Sequence, residues 1–122
     1  MSNSNLNGKQ AAPRLVFNGG FDERAAFEAE ARGYCAGVSV EFEDGRRFPV
    51  VFYDPVRLAQ DLQDETEAGY PFISEPGLII VADVTRANME AAVAKLTRES
   101  FFDSFVPLDA TASTFGNPAH AH

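Results

Sequence analysis

Apolar and polar positions alternate most clearly over residues 36–53. Val38, Val40 and Phe42 alternate with Ser39, Glu41 and Glu43, and Phe48, Val50 and Phe52 alternate with Arg47, Pro49 and Val51. A period of two is the pattern of strands with one buried face, so the segment predicts a hairpin. Glu43-Asp44-Gly45-Arg46 lies between the runs. A two-residue Asp-Gly turn would set Phe42 against Arg47 and Glu41 against Phe48, with charge opposite core residues. A three-residue loop with Gly45 left-handed in a bulge instead pairs Phe42 with Arg46, Val40 with Phe48 and Val38 with Val50. It also sets Glu41 against Arg47, an opposite-charge pair worth roughly 0.2–1 kcal/mol. That register is the expected one. Pro49 has no amide to donate, which points to an edge position or a bulge there.

The other elements follow from weaker patterns. Arg14-Leu15-Val16-Phe17 predicts a short strand closed by Asn18-Gly19-Gly20. A helix is expected from Asp22 to Tyr34, capped by Asp22, with Phe21 and Ala26 at staple spacing and Ala26, Phe27, Ala31 and Tyr34 as its apolar stripe. Asp54-Pro55 opens a second helix, because aspartate caps and proline suits the first helical position. Val56, Leu58, Ala59 and Leu62 are expected to face inward, with Gly69 ending the helix. Tyr70 to Pro76 holds two prolines and reads as loop. Leu78 to Val81 is continuously apolar and predicts an interior strand buried on both faces. Thr85 caps a third helix with Met89, Ala92, Val93 and Leu96 as its buried stripe, and Val84 and Met89 at staple spacing. Phe101 to Leu108 follows as a final strand or an apolar closing segment.

The element order is β-α-β-β-α-β-α-(β), whose first six elements match the order of a ferredoxin-like split βαβ unit. The match is one of order, since the run at 78–81 asks for a central strand. The expected fold is a single α+β domain at 13–108: a mostly antiparallel or mixed sheet of about four to five strands packed by about three helices. Residues 1–12 and 109–122 lack periodicity and are expected to be flexible tails.

Composition narrows the function. Histidine occurs only at His120 and His122, and Cys35 is the one cysteine. A Ser-His-Asp triad, a Cys-His dyad and a histidine zinc site are therefore out of reach within the domain. No cofactor or metal site is expected, and the His-Ala-His tail alone does not make one. Gly19-Gly20 lacks the rest of a phosphate-binding motif and reads as a tight turn. Cys35 has no basic neighbour in sequence to activate it and reads as a small core residue. The net charge of −8 disfavours nucleic acid and anionic lipid. With no membrane-length apolar run, no signal-like segment and no disulfide pair, a cytoplasmic location is expected.

Two features remain as candidate chemistry. Asp61, Asp64, Glu65 and Glu67 fall in the second half of the second helix, with no basic residue between positions 58 and 85. Asp61, Asp64 and Glu65 share one face at i, i+3 and i+4 spacing. They read as a solvated face or as a docking surface for a basic partner; a divalent-cation site lacks the ligand loop it needs. The adjacent loop carries Tyr70, Phe72 and Ile73, which either cover the end of the core or anchor an interface. The clustered charges at 41–47 read as a solvated hairpin tip.

The function expected from these features is a non-enzymatic acidic module, of inhibitor or chaperone type, that binds a basic protein. Asp61, Asp64, Glu65 and Glu67 would supply attraction, with Tyr70 and Phe72 as anchors. One alternative is a small enzyme with a carboxylate, arginine and tyrosine site, marked by a concave site joining a buried acid to Arg57 or Arg47. The other is a structural module that forms a homodimer through the 101–105 segment or a hairpin edge.

Overall fold

The computed structural model describes residues 13–104. The expected tails, and residues 105–108 of the expected closing segment, lie outside the described residues. The elements are β1 (Arg14–Phe17), α1 (Glu23–Arg32), β2 (Tyr34–Glu41), β3 (Arg47–Tyr53), α2 (Pro55–Glu67), β4 (Leu78–Ile80) and α3 (Arg86–Arg98). A 3-10 turn at Phe101–Ser104 ends the described chain, where a strand was one of the two expectations. The fold is α+β. The strands form one open sheet in the order β1-β2-β3-β4, antiparallel through β3 and parallel between β3 and β4. The ferredoxin-like likeness is approximate, since β1 and β2 are direct antiparallel neighbours although α1 joins them.

The hairpin takes the expected register, with Val38 opposite Val50, Val40 opposite Phe48 and Glu41 opposite Arg47. The Phe42 amide donates to the Arg46 carbonyl at 2.9 Å, and the Gly45 amide to the Phe42 carbonyl at 3.0 Å. Gly45 sits at φ 96°, the left-handed conformation that the three-residue loop requires. Glu41 lies 3.6 Å from Arg47 and 3.6 Å from Arg14, so one carboxylate ties three strands on the outer face. At the tip, the Arg46 amide and guanidinium hold the Asp44 carboxyl below its usual range.

Alternation sends Leu15, Val38, Val40, Phe48, Val50 and Phe52 to one face, where α3 adds Met89 and Val93 and α1 adds Ala29. Phe102 seals the hairpin end of this core, 5.4 Å from Phe48 and 5.9 Å from Phe42 between ring centroids. The caps fall on Asp22, Asp54 and Thr85 as expected, each side chain accepting the amide three residues on. The α3 stripe also lies as expected: Met89 and Val93 are buried, and Ala92 and Leu96 pack against them. Cys35 is a buried core residue whose thiol burial pushes up.

Four expectations are corrected. First, α1 ends at Arg32, and Tyr34 opens β2 instead. Phe27 is 73 % exposed, and Ala29 is the buried residue of α1, because a small side chain suits close approach to the sheet. Phe21 stacks on Phe17 at 4.3 Å. Second, β3 is an interior strand despite Pro49. Pro49 precedes the stretch paired with β4, which begins at Val51 opposite Leu78, so its missing amide costs no ladder bond on that side. Third, β4 is an edge strand and Ile80 is 50 % exposed. Ile79 packs on the core, while the chain turns into α3 before any further strand can cover β4. Fourth, α2 buries no residue, and Val56 and Leu62 face solvent.

Gly77 carries the tightest approach in the sheet. Its carbonyl accepts from the Val51 amide at 2.9 Å, and a Cβ there would collide with the Pro49 carbonyl. Both Gly77 and Gly45 have positive φ, but the space around Gly45 is open. Gly45→Ala is expected to cost about 1–2 kcal/mol from backbone strain alone. Gly77→Ala is expected to cost clearly more, because strain and collision add. Urea unfolding of the two variants checks the order.

Candidate acidic and aromatic groove

The outer face of the sheet builds the site. Tyr34 and Tyr53 are paired across β2 and β3 on the face opposite Phe52, with their rings edge to face at 5.0 Å. Tyr53 is only 5 % exposed. The two rings offer α2 an apolar floor with a phenol at its margin. Arg57, Leu58 and Asp61 of α2 are the half-buried residues that turn toward it. The Arg57 guanidinium lies 4.8 Å from the Tyr34 ring centroid, donates to Asp61 Oδ1 at 2.9 Å and to the Arg32 carbonyl at 3.3 Å. Asp61 lines the same groove as Tyr53, and its charge helps raise the Tyr53 hydroxyl pKa. This polar network explains why α2 is rotated away from the expected packing. A Val56–Ala59–Leu62 face would leave the Arg32 carbonyl and the Tyr34 ring without these partners.

At its C-terminus α2 hands the chain to the aromatic loop. The Ala68 amide bonds back to the Asp64 and Glu65 carbonyls, and the Tyr70 amide to Glu65 at 2.8 Å. The Phe72 amide then donates to the Tyr70 carbonyl at 2.8 Å, and the two rings meet edge to face at 6.5 Å. The loop and helix enclose a cavity of about 490 Å³. Asp61, Asp64, Glu65 and Glu75 line it with Tyr53, Tyr70 and Phe72, and among the described residues no arginine or lysine does.

Five of the six residues singled out by sequence, Asp61, Asp64, Glu65, Tyr70 and Phe72, therefore share this groove. Glu67 is not part of its lining and accepts from Gln63 at 3.2 Å. Asp61 is spent on Arg57, whereas no ion pair reaches Asp64, Glu65 or Glu75 among the described residues. Tyr53 and Glu75 were not singled out. Tyr53 was hidden because it falls on the outward side of the hairpin's alternation, and nothing local shows that another element covers that side. Glu75 was hidden because only the path of the loop brings it opposite α2. Ile73, half-buried, also lines the groove, while Tyr70 and Phe72 are exposed.

The arrangement presents negative charge and aromatic surface together. It is suited to a cation, which carboxylates attract and ring faces accept. Among the described residues no group of His, Cys, Asp and Glu has the arrangement to hold a metal ion. Among the described residues no helix is long and apolar enough to cross a membrane. No family model matches the chain, and no curated protein or solved structure matches it.

Burial, then the Glu75 and Asp61 charges, push the Tyr53 hydroxyl up to about 12 from its ordinary 10.0. Between those values the unfolded chain releases a proton that the folded chain keeps. Tyr53 thus favours the folded state in full below pH about 10, and that contribution is lost as pH rises toward 12. Tyr53→Phe is expected to flatten the decline of stability across that alkaline window, read by chemical unfolding at a series of pH values.

Proposed function

We propose that the protein is a non-enzymatic binding module that engages a basic protein partner through the acidic and aromatic groove. The observation that carries this reading is the set of three carboxylates, Asp64, Glu65 and Glu75, that line the groove without a cationic partner among the described residues. Two of them stand in the last turns of α2, where the helix dipole disfavours negative charge. The exposed rings of Tyr70 and Phe72 supply desolvatable area at the rim of that charge. A net charge of −8 extends the attraction and would steer encounter with a basic surface. An inhibitor of a basic protein and a chaperone for one are both versions of this function, in a cytoplasmic setting.

The alternative of a small enzyme draws on one specific observation, the pairing of half-buried Asp61 with Arg57 in the groove that Tyr53 also lines. Asp61 there is already held by Arg57, and a tyrosine held near 12 is far from the range of an efficient proton carrier at neutral pH. The binding reading therefore ranks first.

Asp64→Lys with Glu65→Lys separates function from stability. The pair should weaken a partner retained from the native host's lysate by at least tenfold and reduce the salt dependence of its binding. The same change should raise folding stability by about 0.3–1 kcal/mol per site, because lysine suits a helix C-terminus. Affinity measured at low and high salt with the purified partner, beside a melting curve, reads both. Equal affinity for the wild type and the double variant would remove the groove from the proposal.

A further inference from the structure

Arg46, Arg57 and Arg86 are each held in the same way. Their guanidinium carbons lie over an aromatic ring, 4.6 Å from the Phe42 centroid, 4.8 Å from that of Tyr34 and 5.1 Å from that of Phe17. Each also donates through Nε to a carboxylate at 2.9 Å, that of Asp44, Asp61 or Glu90. The arrangement follows from the shape of the group. A guanidinium is planar and weakly hydrated, so its face lies on a ring while its edge, with donors in a fixed fork, meets carboxylate oxygens.

The groove repeats two of these three components. Asp64 and Glu65 reach it from α2, Glu75 reaches it from the loop, and Tyr70 and Phe72 line it with them. The bond from the Tyr70 amide to the Glu65 carbonyl, at 2.8 Å, ties the aromatic loop to the acidic turns. The third component is missing. The rings beneath Arg46, Arg57 and Arg86 are half-buried, whereas Tyr70 and Phe72 stay 58 % and 59 % exposed. No ion pair reaches the three carboxylates among the described residues. A lysine ammonium is a poorer complement than a guanidinium. It is compact and strongly hydrated, has no flat face for the rings, and lacks the rigid fork that can serve carboxylates from two elements at once.

We infer that the groove is a receptor for an arginine side chain of the basic partner, with the guanidinium face on the rings of Tyr70 and Phe72 and its edge toward Asp64, Glu65 and Glu75, and that it selects arginine over lysine. This rests on the reading of the groove as a site for a basic protein, and adds the residue type it recognises.

The test uses a fluorescently labelled Gly-Ser peptide carrying spaced arginines, and its twin with lysine at each of those positions. The two have equal charge, so attraction by net charge alone treats them alike. Anisotropy titrations at fixed salt are made with the full chain and with Tyr70→Leu/Phe72→Leu, which removes the ring faces but keeps apolar side chains and every carboxylate. Both positions are exposed, and circular dichroism checks that the variant keeps its fold. The arginine peptide is expected to bind the wild type about tenfold tighter than the lysine peptide. In the leucine variant it should fall to the level of the lysine peptide, whose own binding changes little. Equal binding of the two peptides to the wild type overturns the inference, and so does an arginine preference that survives in the leucine variant. Asp64→Lys/Glu65→Lys, run in parallel, separates the two claims. If the wild type shows no arginine preference but that double variant loses both peptides, the groove reading stands and the arginine receptor falls. If the double variant binds both peptides as the wild type does, the groove reading falls with the receptor. If neither peptide binds the wild type, the arginine receptor falls, and affinity for the captured partner decides the groove reading separately.

Discussion

The β2–β3 register is the constraint from which the rest of the structure follows. Pairing Val40 with Phe48 and Val38 with Val50 commits one face of two strands to a common core. A slip by one residue would turn each of those side chains into solvent and bring Glu41 and Arg47 under α3. Because the register holds, β1 adds to β2 with Leu15 facing the same core, and Phe102 closes the hairpin end. The opposite face is set by a one-residue register shift between Cys35 and Val38. Past it Tyr34 stands opposite Tyr53, and their rings become the floor on which α2 rests.

On that outer face polarity decides what hydrophobicity usually does. α2 could satisfy its apolar positions only by turning Val56, Ala59 and Leu62 to the sheet, but Arg57 instead lies over the Tyr34 ring, donates to the Arg32 carbonyl and holds Asp61. Hydrogen bonds to charged groups contribute about 1.5–3 kcal/mol, comparable with the gain from burying one more aliphatic side chain. The rotation of the helix goes with these contacts, and it has two consequences. The carboxylates of the last turns converge with the aromatic loop, and the apolar stripe is left outside.

The site and the scaffold make opposite demands on this helix. Its N-terminal half is tied down by the Asp54 cap, the first-turn proline and the Arg57 network. Its C-terminal half gathers Asp64, Glu65 and Glu67 where the helix dipole is unfavourable to them. The tied-down start and the electrostatically costly end are the two features of α2 on which the proposed binding of a basic partner draws.

Much of the fold was legible in the chain because the signals were local. The strand alternation, the Glu43-Asp44-Gly45 loop, the caps Asp22, Asp54 and Thr85 and the α3 stripe each depend on residues within a few positions of one another. The acidic face and the aromatic loop were legible too, being adjacent in sequence. Other features needed partners far along the chain. The apolar run at 78–81 cannot report how many strands flank it, so its place at the sheet edge was decided by where α2 returns it beside β3. Phe27 and Val56 look like core residues until the sheet assigns each helix a face. The addition of Tyr53 and Glu75 to the groove likewise came from the crossing of β3, α2 and the loop. By itself the sequence determined which segments become strands or helices and how the hairpin pairs, because short-range sterics, capping and alternation govern those. Only the tertiary structure decided which side of α2 meets the sheet, because that choice goes with contacts of Arg57 to Arg32 and Tyr34 in other elements.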